Sequence, residues 1–354
     1  MSLKETAARA LSEYKLVGIG IAVINAKMET PDIVVAGERR NRSGDLIQVG
    51  DAWHIGSNTK MLTALAYAKL VERGDANWGA TLPELFPELA ADMHSDWQDV
   101  TIEDLLAHRS GLAPNPGPLW MLQRIADQRP LQVQRAEFVR NQLTKPAKGT
   151  NGTFEYSNIG YILAGTAIEQ IVSNTPDEKA PISYESVMQS LFAKDLVEIG
   201  GQIGFGPPQN GIEGHEKPLF RSALRAIGTE DTDDNPAIFG PAGTMNVDLR
   251  THALLLKRHF MSGDRATIDR LLAPYPEKDS DYALGWGINE MDGLERVYGH
   301  QGSNTSWLSS VFYAPSIDTI LIINLNQFDQ NARTAAADLA RVVLQDLAED
   351  AASK

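Results

Sequence analysis

The chain has 354 residues, more than a single hydrophobic core usually organises, so two lobes or one domain with a large insertion are expected. With 43% hydrophobic and 22% charged residues it is neither collagen-like nor disordered, and a net charge of -14 leaves no excess cation for a nucleic-acid backbone or an anionic membrane. The absence of cysteine excludes disulfides, thiolate metal sites and cysteine nucleophiles.

In chain order, Lys4 to Tyr14 reads as a helix, then Val17 to Ile24 and Ile33 to Ala36 as apolar strands. From Ser57 to Arg73 the apolar spacing becomes helical, with Gly74 as the stop. Residues 75–240 read as helices (Thr101 to His108, Leu131 to Leu143, Asn158 to Val172, Ser183 to Phe192) with few strands, and Gly200 to Gly206 as a flexible loop. Asn246 to Phe260 is expected as a helix. Strands at Arg296 to Tyr298, Ser306 to Tyr313 and Ile317 to Asn324 and a closing helix over Ala335 to Leu347 complete the pattern. The order predicts an α+β architecture, an antiparallel sheet flanked by helices. Residues 1–74 and 241–354 would form one lobe, 75–240 a mainly helical inserted lobe, and the groove would lie between them. No stretch reaches the roughly 20 apolar residues of a membrane span. The opening lacks the apolar run of a secretory signal, so the expected compartment is the cytoplasm, with export after removal of a signal segment as the alternative.

Ser57-Asn58-Thr59-Lys60 is an S-x-x-K sequence at the start of an apolar helix, which places hydroxyl and amine on one helical face. A desolvated lysine next to a serine can take its proton, and the helix N-terminus with the serine's own N–H suits a developing oxyanion. Ser12-Glu13-Tyr14-Lys15 also fits the pattern but trails a short exposed helix and reads as a decoy. Tyr156-Ser157-Asn158 opens a later apolar helix, and His300-Gln301-Gly302 falls on the edge of a late strand. His54-Ile55-Gly56, a second H-x-G, precedes the serine and reads as packing.

On these motifs, with Thr101 to Leu112, Gly240-Pro241-Ala242-Gly243 and Tyr282-Ala283-Leu284-Gly285-Trp286, the chain resembles the serine β-lactamase and penicillin-binding superfamily. The branch is that of class C β-lactamases, D-alanyl-D-alanine carboxypeptidases and related esterases. The resemblance runs from about residue 17 to 345 and implies a β-lactamase/transpeptidase-like fold. It implies Ser57 as the acylated nucleophile and Lys60 with Tyr156 as the proton-transfer pair, either of which could deprotonate Ser57. It further implies the backbone N–H groups of Ser57 and Ser303 as oxyanion hole. Asn158, His300, Gly302 and Asn115 would contact substrate, Asn158 with Lys60 as its alternative partner.

The late motif departs from the K-T-G of penicillin-recognising relatives, since His300 replaces the lysine. A neutral histidine attracts a substrate carboxylate less, so the expected activity is that of an esterase, with His300 regaining charge towards pH 6. β-Lactamase or D-amino-acid peptidase activity is the alternative. A non-catalytic binding or self-assembling module, with Trp120 and Met121 as partner surface, is the reading from another class. There is no G-x-S-x-G elbow and no histidine cluster with metal-ligand spacing, His252 and His259 reading as packing or surface. No cofactor and no metal are expected, and the expected partner is a small ester or amide. The sequence leaves the oligomeric state open.

Overall fold

The computed structural model describes residues 2–125, 127–175, 180–209, 211–217, 224–228, 230 and 233–353. Its strands are β1 (Gly18–Asn25), β2 (Asp32–Gly37), β3 (Ala52–His54), β4 (Ile203–Phe205), β5 (Gly214–Glu216) and β6 (Arg225–Ile227). They continue with β7 (Met245–Asp248), β8 (Gly287–Met291), β9 (Leu294–Ser303), β10 (Leu308–Ala314) and β11 (Thr319–Leu325). Six form one sheet in the order β2-β1-β11-β10-β9-β8, every neighbouring pair antiparallel, so the two ends of the chain share it.

Both faces of the central strands are covered. Ile19, Ile21 and Val23 of β1 and Leu321, Ile323 and Leu325 of β11 pack on Ala7 and Ala10 of the first helix (Leu3–Glu13). Ala332, Ala335, Ala336 and Leu339 of the last helix (Gln330–Ala352) complete that layer. The alternate residues Ala22, Ile24, Ile320 and Ile322 join Met61, Leu62 and Leu65 of the helix Thr59–Arg73 in the main core. Burial on both faces is why Ile320 to Ile323 reads as an unbroken apolar run. Gly74 ends the Thr59–Arg73 helix in the left-handed conformation at φ 79°.

Two expectations are corrected. Asn246 to Phe260 is not one helix: Met245–Asp248 is β7, paired with β3 and β4, and the helix starts at Leu249. Asp248 is the break, because its side chain accepts from Thr251 N at 2.9 Å and caps the helix. The Gly200 to Gly206 stretch carries β4 rather than only a loop. Its glycines allow close packing, for a Cβ on Gly201 would stand 2.2 Å from Thr251 Oγ1. The 75–240 stretch therefore contributes strands β4, β5 and β6 as well as helices.

Arg135, fully buried on the helix Leu131–Leu143, ties this region to the site. It pairs with Glu169 and Glu185 and donates to Ile238 O at 3.2 Å and Ala237 O at 3.1 Å. A buried guanidinium needs all these partners, and meeting them fixes the segment that leads into Gly240–Gly243. No helix among the described residues is long and apolar enough to cross a membrane.

Candidate active site

Ser57 lies in a 3-10 turn, Gly56–Asn58, that runs directly into the helix carrying Lys60. Lys60 Nζ reaches Ser57 Oγ at 3.1 Å, Asn158 Oδ1 at 2.7 Å and Ala242 O at 2.6 Å. The side chain is fully buried and has no carboxylate partner among the described residues, and desolvation pushes its pKa well below the ordinary lysine value. A neutral amine has two protons and one lone pair. The two carbonyl oxygens accept the protons, and the lone pair is left for the Ser57 hydroxyl. Ala242 owes its position to the next helical turn, where Thr63 Oγ1 donates to Pro241 O at 2.7 Å.

Tyr156 completes the group. Lys60 Nζ stands 4.9 Å from its ring centroid, and the Ser57 side chain is near enough to its hydroxyl to oppose the rise in its pKa. Burial raises its pKa above the ordinary tyrosine value despite the nearby serine and lowers that of Lys60, so for both side chains burial disfavours the charged form.

The tripeptide is seated by the preceding loop. His108 Nδ1 accepts from Ser157 N at 3.0 Å, Ser157 Oγ donates to Ala113 O at 2.7 Å, and Asn158 N donates to Pro114 O at 2.8 Å. Ser157, not Asn158, caps the helix Asn158–Ser173, which frees the Asn158 side chain for Lys60. Its other end, Nδ2, donates to Asn115 Oδ1 at 2.7 Å, so exposed Asn115 joins the site. The decoy stays apart: Ser12 and Lys15 are both exposed at the end of the first helix.

The end of β9 abuts the Ser57 turn. A Cβ on Gly302 would stand 1.9 Å from Ile55 O and 2.8 Å from Ser57 N, and one on Gly56, at φ 52°, would stand 2.4 Å from Ser303 N. Only glycine fits at either position, and the contact brings the backbone of Ser303 beside that of Ser57. Pairing of β9 with β10 sets His300 opposite Val311 and Gly302 opposite Ser309, whose Oγ accepts from Asn58 Nδ2 at 2.8 Å. By strand alternation His300 shares this face and Gln301 points away.

His300 packs 6.2 Å from Tyr156 and 6.4 Å from Tyr282, ring centre to ring centre. Burial, reinforced by Lys60, lowers its pKa to about 3. The expected gain of charge near pH 6 is therefore overturned, because the pocket is too dry to hold an imidazolium. His108, its ring tilted against that of Tyr156 with centroids 4.1 Å apart, is likewise held neutral, chiefly by burial.

His54 is more than packing. Its Nδ1 accepts from Gly56 N at 3.1 Å and its Nε2 contacts Asp234 Oδ2 at 2.8 Å. Its place three residues before the serine was a visible signal. Asp234, within an acidic stretch of the sequence, gave none. Among the described residues no group of three or more His, Asp or Glu side chains could hold a metal ion.

The profile of the Beta-lactamase family matches residues 5–345, and the chain belongs to that family. It is 22% identical over 336 residues to the unguisins hydrolase ungD' of Aspergillus campestris, covering 91% of this chain and 60% of that protein. The chain thus spans less than two thirds of that relative's length. Among solved structures, the D-amino acid amidase of Ochrobactrum anthropi SV3 superposes with a TM-score of 0.73 at 18% identity, over 99% of this chain and 97% of that one. The class C beta-lactamase of Rhodobacter sphaeroides gives 0.71 at 17% identity, over 96% and 99%. These likenesses establish the expected β-lactamase/transpeptidase-like α+β fold.

Proposed function

We propose that the protein is a serine acyl hydrolase that works through an acyl-enzyme on Ser57. The observation that carries this reading is the set of three Lys60 contacts, which leave a neutral amine one lone pair directed at the Ser57 hydroxyl. Lys60 takes the Ser57 proton as Oγ bonds to the substrate carbonyl carbon. The displaced electron pair collects on the carbonyl oxygen, between the N–H groups of Ser57 and Ser303. Collapse expels the leaving group, which takes the proton held by Lys60, with Tyr156 as the relay. Water then attacks the acyl-enzyme by the same steps in reverse. Asn158 holds the amine in place, and Asn115 offers its amide N–H groups to the substrate. The groove is read as lying between the lobe of residues 1–74 and 241–354 and the stretch 75–240.

The substrate class follows from His300. Neutral and buried where penicillin-recognising relatives carry lysine, it gives a substrate carboxylate no cation, which favours uncharged esters. A second reading, amide hydrolysis, draws on the likeness to a D-amino acid amidase across nearly the whole of both chains. A panel of p-nitrophenyl acetate, nitrocefin and D-phenylalanine amide, each measured against Ser57→Ala, tests both readings. Fastest turnover of the ester supports the first and of the amide the second; rates no higher than Ser57→Ala on every substrate contradict both.

A further inference from the structure

His54 and Asp234 stand behind the nucleophile, outside the proton-transfer group. Asp234 is buried to 1% of its side-chain surface, yet it sits in a loop rather than in a regular element. Its Oδ2 contacts His54 Nε2 at 2.8 Å, and its Oδ1 accepts from Asn304 Nδ2 at 2.9 Å and Asn235 N at 2.7 Å. Because His54 Nδ1 accepts from Gly56 N, the ring proton must lie on Nε2, facing the carboxylate. Asn304 Oδ1 in turn accepts from Ser306 N and Trp307 N, both at 3.4 Å, and Trp307 stacks on His54 with centroids 5.4 Å apart. The chain of contacts closes on itself: His54, Asp234, Asn304, Trp307, His54.

This ring has one foot on each half of the oxyanion site. His54 holds the left-handed Gly56 immediately before Ser57, and Asn304 immediately follows Ser303. We propose that His54 and Asp234 are positioning residues that fix the spacing between the backbone N–H groups of Ser57 and Ser303. The two halves come from distant segments, β3 and β9, which do not pair with each other in either sheet. Their glycines touch with no room for a side chain to bridge them. A buried carboxylate reaching both ties them together, on the side away from the Asn58 contact to Ser309 on β10. Oxyanion stabilisation depends on donors held in place before charge develops, so loosening the tie should act on the transition state more than on substrate binding.

The proposal rests on the acyl-enzyme reading, and the experiment separates the two. Wild type, His54→Phe, Asp234→Asn and His54→Asn are compared for fluorophosphonate labelling rate, for kcat and KM on p-nitrophenyl acetate, and for inhibition by phenylboronic acid, whose serine adduct places a hydroxyl in the oxyanion site. His54→Phe keeps the stack on Trp307 and removes both hydrogen bonds. It should lower kcat about 30- to 100-fold with KM within about twofold, and weaken the boronate by a comparable factor. Asp234→Asn, left with one oxygen for the three donors His54 Nε2, Asn304 Nδ2 and Asn235 N, should lose about tenfold in the same pattern. His54→Asn, whose Oδ1 stands near the place of Nδ1, should recover part of the loss. Thermal melts monitor folding, and Asp234→Asn carries the test if His54→Phe does not fold. If wild type labels at Ser57 but the variants label as fast and bind boronate as tightly, the positioning role is overturned while the acyl-enzyme reading stands. If wild type does not label at all, both fall.

Discussion

Lys60 Nζ lies closer to Asn158 Oδ1, at 2.7 Å, than to Ser57 Oγ, at 3.1 Å. The shorter contact is to a neutral amide, which accepts a hydrogen bond from the amine without stabilising the ammonium as a carboxylate would. This choice of side chain keeps desolvation in control and the Lys60 pKa low.

Asn158→Asp should reverse that balance. A carboxylate at the same position favours the protonated lysine, so the base-limited limb of the acylation rate should move to higher pH by about one unit or more. Stopped-flow acylation with p-nitrophenyl acetate between pH 5 and 10 measures the limb. A limb that stays in place, or moves to lower pH, assigns the titration to another group.

Lys60 and Tyr156 should behave as one unit, since both lie beside Ser57 and burial disfavours the charged form of each. Lys60→Ala and Tyr156→Phe should each lower kcat by at least about 10³-fold, with the double variant little worse. Multiplicative losses would show that the two act in separate steps.

His300 should set preference by its lack of charge. Held neutral until about pH 3, it leaves the ratio of kcat/KM for nitrocefin over p-nitrophenyl acetate flat between pH 8 and pH 6. His300→Lys should raise that ratio several-fold by supplying a cation for the β-lactam carboxylate. A wild-type ratio that climbs on acidification, or a lysine variant with an unchanged ratio, would contradict the assignment.

His252 should make the fold acid-sensitive. It is fully buried with neither ring nitrogen hydrogen-bonded, and burial lowers its pKa to about 3. The unfolded chain binds the proton below about pH 6.5 and the folded chain does not, so this contribution is whole above pH 6.5 and is lost as pH falls towards 3. At pH 5 the loss is about 2 kcal/mol. Urea titrations at pH 7.5 and pH 5 should show His252→Leu losing less stability than wild type by about that amount. Equal losses in both proteins would show that His252 is protonated in the folded state.

The sequence made the fold legible where pattern and period agree. The strand expected at Ile317 to Asn324 and found at Thr319–Leu325, the Leu131–Leu143 helix and the Gly74 stop all obey local rules, and the structure has them within two residues of where those rules put them. Short strands escaped notice because their partners are remote: β3, β4 and β7 have three or four residues each and exist only through pairing with one another. Ser57, Lys60, Tyr156 and Asn158 were visible through motif spacing, and the structure brings Ser57, Lys60 and Asn158 into one hydrogen-bonded group with the Tyr156 ring beside Lys60. Backbone partners such as Ala242 O carry no side-chain signature. The loop residue Asp234 shows its role only once folding sets it against His54. Burial also overrode the ordinary titration of His300, which composition alone does not reveal.

The central claim is a covalent acyl-enzyme on Ser57, and intact-mass spectrometry after incubation with a fluorophosphonate tests it most directly. Wild type should gain the mass of one adduct, peptide mapping should place it on Ser57, and Ser12→Ala should label as wild type does. Ser57→Ala should gain nothing. An adduct that persists in Ser57→Ala, or a wild type that remains unmodified while hydrolysing ester, would contradict the account.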